Sequence, residues 1–346
     1  MTCRNHVRLT IFSRWPLWLV AVTALALQCA PALRFDPPTQ MQAWLVYFDA
    51  ERGLDEVREH GDLFDRISLF AYELTPDGRP RPAPGVAQMI PRFLRLAEET
   101  GYSPWVTVVN DVRFSRDSAI LKDPYLVHDV IANPVRRGAH AIALAEEVES
   151  DGFAGLHLDY EQVFESDSLE FRSFVDELRH ELERRGLGLE VVVEPSHGPL
   201  PHHRSASVSI MGYDLYGSHS GPGPRATPEF VAGLKNRAAG DADGAAGLAI
   251  AVGGFAWDPD GGVRTIDWSA TDSLESEAAR SSRAEPSMVP NAEFPDGTEV
   301  WFEDPESLRS KWEAASTAGF RRLLLWRLGG NDERLFSFLR DLRRGR

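Results

Sequence analysis

The sequence predicts an α/β fold of the (β/α)8 TIM-barrel class, with a small insertion after the seventh strand. Three observations carry that prediction. Eight strand-like runs alternate with helix-like runs along the chain, which is the pattern of βα units around a parallel sheet. Several runs are unbroken Val, Ile and Leu, as expected of strands covered on both faces. Eight is also the number of strands that closes such a barrel, and 346 residues are enough for one barrel of roughly 250 residues.

The strand-like runs are residues 43–49 (AWLVYFD), 67–74, 105–111, 155–161, 188–195, 207–214, 247–255 and 321–328. Between them lie amphipathic patterns. The clearest covers residues 168–186, where Phe171, Phe174, Val175, Leu178 and Leu182 form one apolar stripe at helical spacing. Ser168 is expected to cap its start and Gly186 to end it. Residues 136–152 precede the fourth run in the same way. Residues 261–298 break the alternation: they are polar and rich in Ser, Glu and Pro. A short helix and a hairpin beside the barrel are expected there.

The first 32 residues differ in kind. Arg4, Arg8 and Arg14 make a basic start, residues 15–27 are an apolar run of 13, and Ala30-Pro31-Ala32 has the small-x-small form of a cleavage site. The run is too short to span a bilayer comfortably, so residues 1–32 read as an export signal and residues 33–346 as the barrel. An uncleaved anchor, or lipid attachment at Cys29, are the alternatives for the same segment. Secretion or the cell envelope is the expected location.

The only cysteines are Cys3 and Cys29, so the mature chain is expected to hold no internal disulfide. Its stability must come from the core that roughly 300 residues can bury. Composition is that of a globular protein, 43% hydrophobic and 26% charged. The net charge of −15 argues against a nucleic-acid partner, whose phosphates need a basic footprint. An uncharged glycan is compatible with it, and a monomer is expected.

The chemistry is concentrated in residues 152–163, GFAGLHLDYEQV. A strand sends alternate side chains to opposite faces. Leu156, Leu158 and Tyr160 share one face, while His157, Asp159 and Glu161 share the other. In a barrel, Asp159 and Glu161 reach the mouth at the carboxyl ends of the strands. They start roughly 6–7 Å apart along the strand. Two carboxyl groups in different environments can divide the work of protonating a glycosidic oxygen and stabilising a cationic sugar. A metal site at His157, Asp159 and Glu161 is the competing reading. Three alternate residues of one strand rarely converge on one ion, so neither metal nor cofactor is expected. A polar core without chemistry is the remaining alternative.

Residues 153–161 (FAGLHLDYE) resemble the strand-four signature F-D-G-x-D-x-D-x-E of glycoside hydrolase family 18, the chitinase family. Met211-Gly212-Tyr213-Asp214 resembles that family's M-x-Y-D, and residues 323–332 (LLLWRLGGND) resemble its last strand. Residues 300–312 (VWFEDPESLRSKW) are similar to the branch acting on bacterial cell walls and spore cortex. The resemblance implies a secreted enzyme that cleaves β-1,4 linkages next to N-acetylated sugars, of chitin or peptidoglycan type, with retention. Its partner would be an N-acetylglucosamine-containing polysaccharide. Glu161 would be the general acid. The substrate's own acetamide oxygen would attack the anomeric carbon. Asp159 would orient the acetamide and stabilise the oxazolinium, and Tyr213 would hydrogen-bond the acetamide oxygen. Asp214 and Met211 would line the same subsite, with Trp326 as the floor under the sugar.

Two positions depart from the signature: Ala154 and His157 stand where the family has Asp. His157 could donate a hydrogen bond to Asp159, or stabilise it as an imidazolium. A catalytically inactive, glycan-binding barrel is therefore the alternative function. Trp257, Tyr47, Tyr72 and Asn110 end strands and are candidates for lining the cleft. His197, His202 and His203 are expected in a solvated loop.

Overall fold

The computed structural model describes residues 35–115, 118–195, 207–235 and 246–345. The leader expected at residues 1–32 and the three histidines at 197, 202 and 203 lie outside the described residues.

The described residues begin with β1 (Gln40–Val46), α1 (Ala50–His60) and β2 (Arg66–Leu74). A short β3 (Pro80–Pro82) folds back on β2 before α2 (Val86–Thr100) and β4 (Ser103–Ser115). β4 carries a similar tag, β5 (Ser118–Ile120). Helices α3 (Pro124–Ile131) and α4 (Pro134–Ser150) lead to β6 (Gly155–Asp159). Then come α5 (Ser168–Glu183), β7 (Gly188–Val193), β8 (Ser207–Met211), α6 (Pro228–Leu234) and β9 (Gly247–Ala251). A side sheet holds β10 (Gly254–Trp257), β11 (Val263–Ile266), β12 (Arg280–Ala284), β13 (Val289–Glu293) and β14 (Glu299–Phe302), with α7 (Thr271–Glu277) between β11 and β12. The chain returns through α8 (Pro305–Ala318), β15 (Arg322–Leu328) and α9 (Glu333–Arg343).

Strands β1, β2, β4, β6, β7, β8, β9 and β15 pair in that order, and β15 pairs back on β1, every junction parallel. This is the closed (β/α)8 barrel that the sequence predicts. Each of the eight runs overlaps one barrel strand. The short helix and the hairpin expected at residues 261–298 are present as α7 and the antiparallel pair β12–β13, and β14, β10 and β11 extend that hairpin into a five-stranded sheet in the order β11-β10-β14-β13-β12. The seventh run also ends early. Gly253 has φ +73°, and a Cβ there would meet the Ile266 carbonyl oxygen at 2.2 Å. That glycine lets the chain leave the barrel, so Phe255 belongs to the side sheet.

Helix boundaries have local causes. Asn133 caps α4 by accepting from the amides of Val135 and Arg136 at 2.9 and 3.2 Å, with Pro134 in the first turn. Ser168 does not cap α5 as expected. A 3-10 turn at Glu165–Asp167 runs directly into the helix, so Ser168 is its first residue and donates back to Glu165 O at 2.5 Å. Gly186 does end the segment, at φ +74°. Among the described residues no helix is long and apolar enough to cross a membrane.

The two faces of the barrel wall differ. Leu156 and Leu158 of β6 pack outward in the main core, which includes Leu144 of α4 and Phe174 and Leu178 of α5. The inward face builds a separate cluster of Trp44, Val192, Met211, Tyr213, Ala249, Ala251 and Leu324. Toward the amino-terminal ends of the strands the interior turns polar. Glu190, fully buried, accepts from Gln42 at 3.1 Å, from Arg66 at 3.2 Å and from Ser209. Burial alone would raise its carboxyl, but Arg322, His157, Ser209 and Arg66 hold it down, at about 2.

The side sheet is tied to the barrel by a buried ion pair. Glu303, just after β14, meets Lys311 of α8, and Ser307 donates to the same carboxylate at 2.7 Å. Both charged side chains are at most 2% exposed. Lys311→Ala leaves Glu303 buried without its cation, which should cost about 3–5 kcal/mol. Urea denaturation should show this as a lowered midpoint with an unchanged slope.

Candidate active site

The carboxyl end of the barrel is where the titratable side chains meet. Asp159 is the last residue of β6 and Glu161 lies two residues beyond it. Past the strand end the ladder no longer fixes the backbone, and Asn110 of β4 does so instead. Its side-chain oxygen accepts from the Glu161 amide at 3.0 Å, and its Nδ2 donates to the Glu161 carbonyl at 2.9 Å. The same Nδ2 reaches the Asp123 carbonyl at 3.4 Å. Asn110 is fully buried. The structure therefore makes it a holder of the Glu161 backbone, not the cleft-lining residue that its place at a strand end suggested.

Asp159 and Glu161 are 3% and 7% exposed. Burial is the main cause raising both carboxyls above the usual range. Nearby Asp159 and a hydrogen bond with Glu194 raise Glu161 further, against the pull of Lys122. Glu194, Asp111 and Asp214 raise Asp159, again against Lys122. Asp159 Oδ1 is buried with no hydrogen-bond partner among the described residues. The Lys122 ammonium is ion-paired with Glu161 Oε2, and Glu194 accepts from the Gln162 amide at 2.8 Å.

Tyr213 follows β8 and is 8% exposed. Its ring lies 6.3 Å from that of Trp326 at an interplanar angle of 21°. Burial and the charges of Asp214, Asp159 and Glu161 raise its phenol, so it stays a hydrogen-bond donor. Met211 supports this floor from inside the barrel, packed with Trp44 and Tyr213. Asp214 is exposed beside Tyr213. Trp326 meets Trp44 and Phe70 edge-on at 5.4 and 5.6 Å, and its own exposed part lines a cavity of about 170 Å³ with Phe48, Arg225 and Trp268.

Other expected residues are placed elsewhere. His157 is fully buried between Trp44 and Trp105, at ring separations of 6.0 and 5.3 Å. Neither ring nitrogen has a hydrogen-bond partner among the described residues. Burial pushes its pKa down to about 4, so it is neutral at pH 7. It is neither the imidazolium nor the donor to Asp159 that its position suggested, and it has no surface to offer a substrate. Tyr47 is half-buried near the mouth, with its hydroxyl 3.4 Å from Glu73, which is itself paired with Arg113 at 2.5 Å. Tyr72 points away from the mouth, buried against Phe153 and donating to Asp151. Trp257 sits on β10, where its indole donates to Ser220 O at 3.0 Å. It borders a broad groove with His219, Asp258 and Glu299.

Lys122, Glu194, Asp111 and Phe48 belong to the site and were not singled out from the sequence. Glu194 directly follows the Val-rich β7, at the carboxyl end of a barrel strand, a place the sequence shows. Lys122 lies in a turn with no periodicity to reveal it. Among the described residues no group of three or more His, Cys, Asp or Glu side chains is arranged to hold a metal ion. The arrangement can donate a proton from a buried carboxyl, place a second carboxyl beside a developing positive charge, and stack a ring on an aromatic floor.

No protein-family model matches the chain. Among curated proteins it is similar to the putative sporulation-specific glycosylase YdhD of Bacillus subtilis, 24% identical over 189 residues. That match spans 51% of this chain and 42% of the relative's length. Among solved structures it is similar to the Bacillus cereus spore cortex-lytic enzyme SleL, at 17% identity and a TM-score of 0.74, covering 88% of this chain and 74% of that one. It is equally similar to a chitinase from Chromobacterium violaceum, at 18% identity and a TM-score of 0.74, covering 88% and 98%. At these identities the structural likeness establishes the barrel fold.

The Asn110 clamp is directly testable. Asn110→Ala should leave the buried Glu161 amide and carbonyl unpaired, at about 1–3 kcal/mol for each. Amide hydrogen exchange at Glu161 should quicken by more than at the amides of β6.

Proposed function

We propose that this protein is a glycoside hydrolase that cleaves β-1,4 linkages next to N-acetylated sugars, by the substrate-assisted retaining route. The observation that carries the reading is a pair of buried carboxyls with raised pKa at the barrel mouth, one with an unpartnered oxygen, beside the Tyr213 and Trp326 rings. The chitinase, cortex-lytic enzyme and glycosylase among its relatives support it. So does the family 18 resemblance of residues 153–161.

In this reading Glu161 keeps its proton near neutral pH and gives it to the glycosidic oxygen as that bond breaks. The acetamide oxygen of the departing sugar's neighbour in the cleft attacks its own anomeric carbon, forming an oxazolinium. Asp159 Oδ1 accepts the acetamide N–H and balances the positive charge. Tyr213 donates to the acetamide oxygen and Trp326 carries the sugar ring. Glu161, now a carboxylate, takes a proton from water as the water opens the oxazolinium, which restores the starting state. The substrate is a glycan of chitin or peptidoglycan type. Residues 1–32 would export the enzyme to such a polymer, and N-terminal sequencing of the secreted protein should find a start near Leu33.

Glu161→Gln is nearly isosteric and has no proton to give. Hydrolysis of chito-oligosaccharides or peptidoglycan, followed by mass, should fall by about 10²–10⁴-fold or more. Binding of the same glycans by calorimetry should persist. A wild type that binds them without turnover would instead establish the inactive glycan-binding barrel.

A further inference from the structure

We propose that Lys122 is the positioning residue of Glu161, supplying from the loop before α3 the counter-charge that fixes and tunes the acid. The inference rests on the reading of Glu161 as an acid, but its geometry stands alone. Lys122 Nζ is ion-paired with Glu161 Oε2. Its backbone is pinned: the amide donates to Asp111 Oδ1 at 2.9 Å, and φ is 54°, a left-handed conformation uncommon for a residue other than glycine. The next amide, of Asp123, donates to the Asn110 carbonyl at 3.0 Å. Asn110 therefore holds the lysine-bearing loop and the Glu161 backbone together.

The surroundings give this lysine a role. Asp159 of β6, Glu194 after β7, Asp111 of β4, and Tyr213 and Asp214 after β8 all face the Glu161–Asp159 pair. They are all acidic groups, and crowding of this kind makes a carboxyl reluctant to lose its proton. The strand itself offers no relief, because His157 is buried and neutral, and its nearest charged neighbour is Glu190, 3.9 Å from its Nε2. Arg225 lies over the Tyr213 ring, 5.2 Å from its centroid, and acts on Tyr213 and Asp214. Lys122 opposes the rise of both carboxyls. It stabilises the Glu161 carboxylate left after proton donation, the form that must next act as base.

The sign follows from the charge. Removing Lys122 removes a cation that favours ionised Glu161, so the Glu161 titration must move to higher pH. The test is a carbon-13 NMR titration of the Glu161 side-chain carboxyl in the free protein, assigned with Glu161→Gln. In Lys122→Met the midpoint should rise by about one to three pH units, and in Lys122→Arg it should return toward wild type. Lys122→Gln serves if the Met variant is unfolded by circular dichroism. A midpoint unchanged in the neutral variant overturns the proposal. The alkaline limb of kcat/KM on N-acetylated oligosaccharides should move up in parallel, with kcat lowered more than KM is altered. If the wild type cuts no such glycan, the functional reading falls, while the NMR titration still decides the role of Lys122.

Discussion

The side chain of Asn110 pairs backbone groups that the barrel's ladder does not reach. Glu161 lies two residues beyond the last hydrogen-bonded position of β6, where a chain would ordinarily be free to choose its direction. One primary amide, with an acceptor and two donor hydrogens, fixes both the amide and the carbonyl of Glu161 and leans on the carbonyl of Asp123. Because Asn110 is fully buried, these bonds do not compete with water. The position of the acid, and of the loop that carries its lysine partner, follows from this contact.

The chemistry above that clamp depends on how the barrel interior separates its charges. Low in the barrel, Glu190 is surrounded by arginine side chains and hydroxyl and amide donors, and stays ionised. At the mouth, Asp159 and Glu161 sit among other acids with one lysine against them, and both carboxyls are raised, Glu161 further than Asp159. Between the two levels lies an apolar and aromatic layer of Trp44, Phe70 and Trp326. His157 pairs in register with Glu190, its Nε2 3.9 Å from that carboxylate, with Trp44 and Trp105 packed against its ring, so it belongs to the lower level and not to the mouth. The same strand thus supplies a neutral packing group and an acid within five residues, because depth in the barrel differs.

The side sheet shows how a large addition can leave a barrel intact. It leaves at Gly253, where only a glycine fits the turn, and it is fastened at its return by the Glu303–Lys311 pair. The sheet carries Trp257, which borders a groove shared with residues 218–222 from the loop after β8, so an element outside the barrel ring adds to the surface on that side.

The sequence alone determined the barrel, since two-sided burial writes continuous apolar runs and period-two alternation places Leu156 and Leu158 opposite Asp159 and Glu161. It also marked Tyr213 and Trp326 through short motifs. It could not reveal that Asn110 is a clamp, that His157 is a packing residue, or that Lys122 meets Glu161. Those facts depend on the depth of a side chain in the barrel and on loops joined by closure of the sheet. Lys122 and Asn110 lie 39 and 51 positions from Glu161, and no local periodicity encodes contacts at that separation. The hairpin expected at residues 261–298 is present as β12–β13, but its growth into a five-stranded sheet was not legible for the same reason: β10 and β14 pair across an insertion of some forty residues.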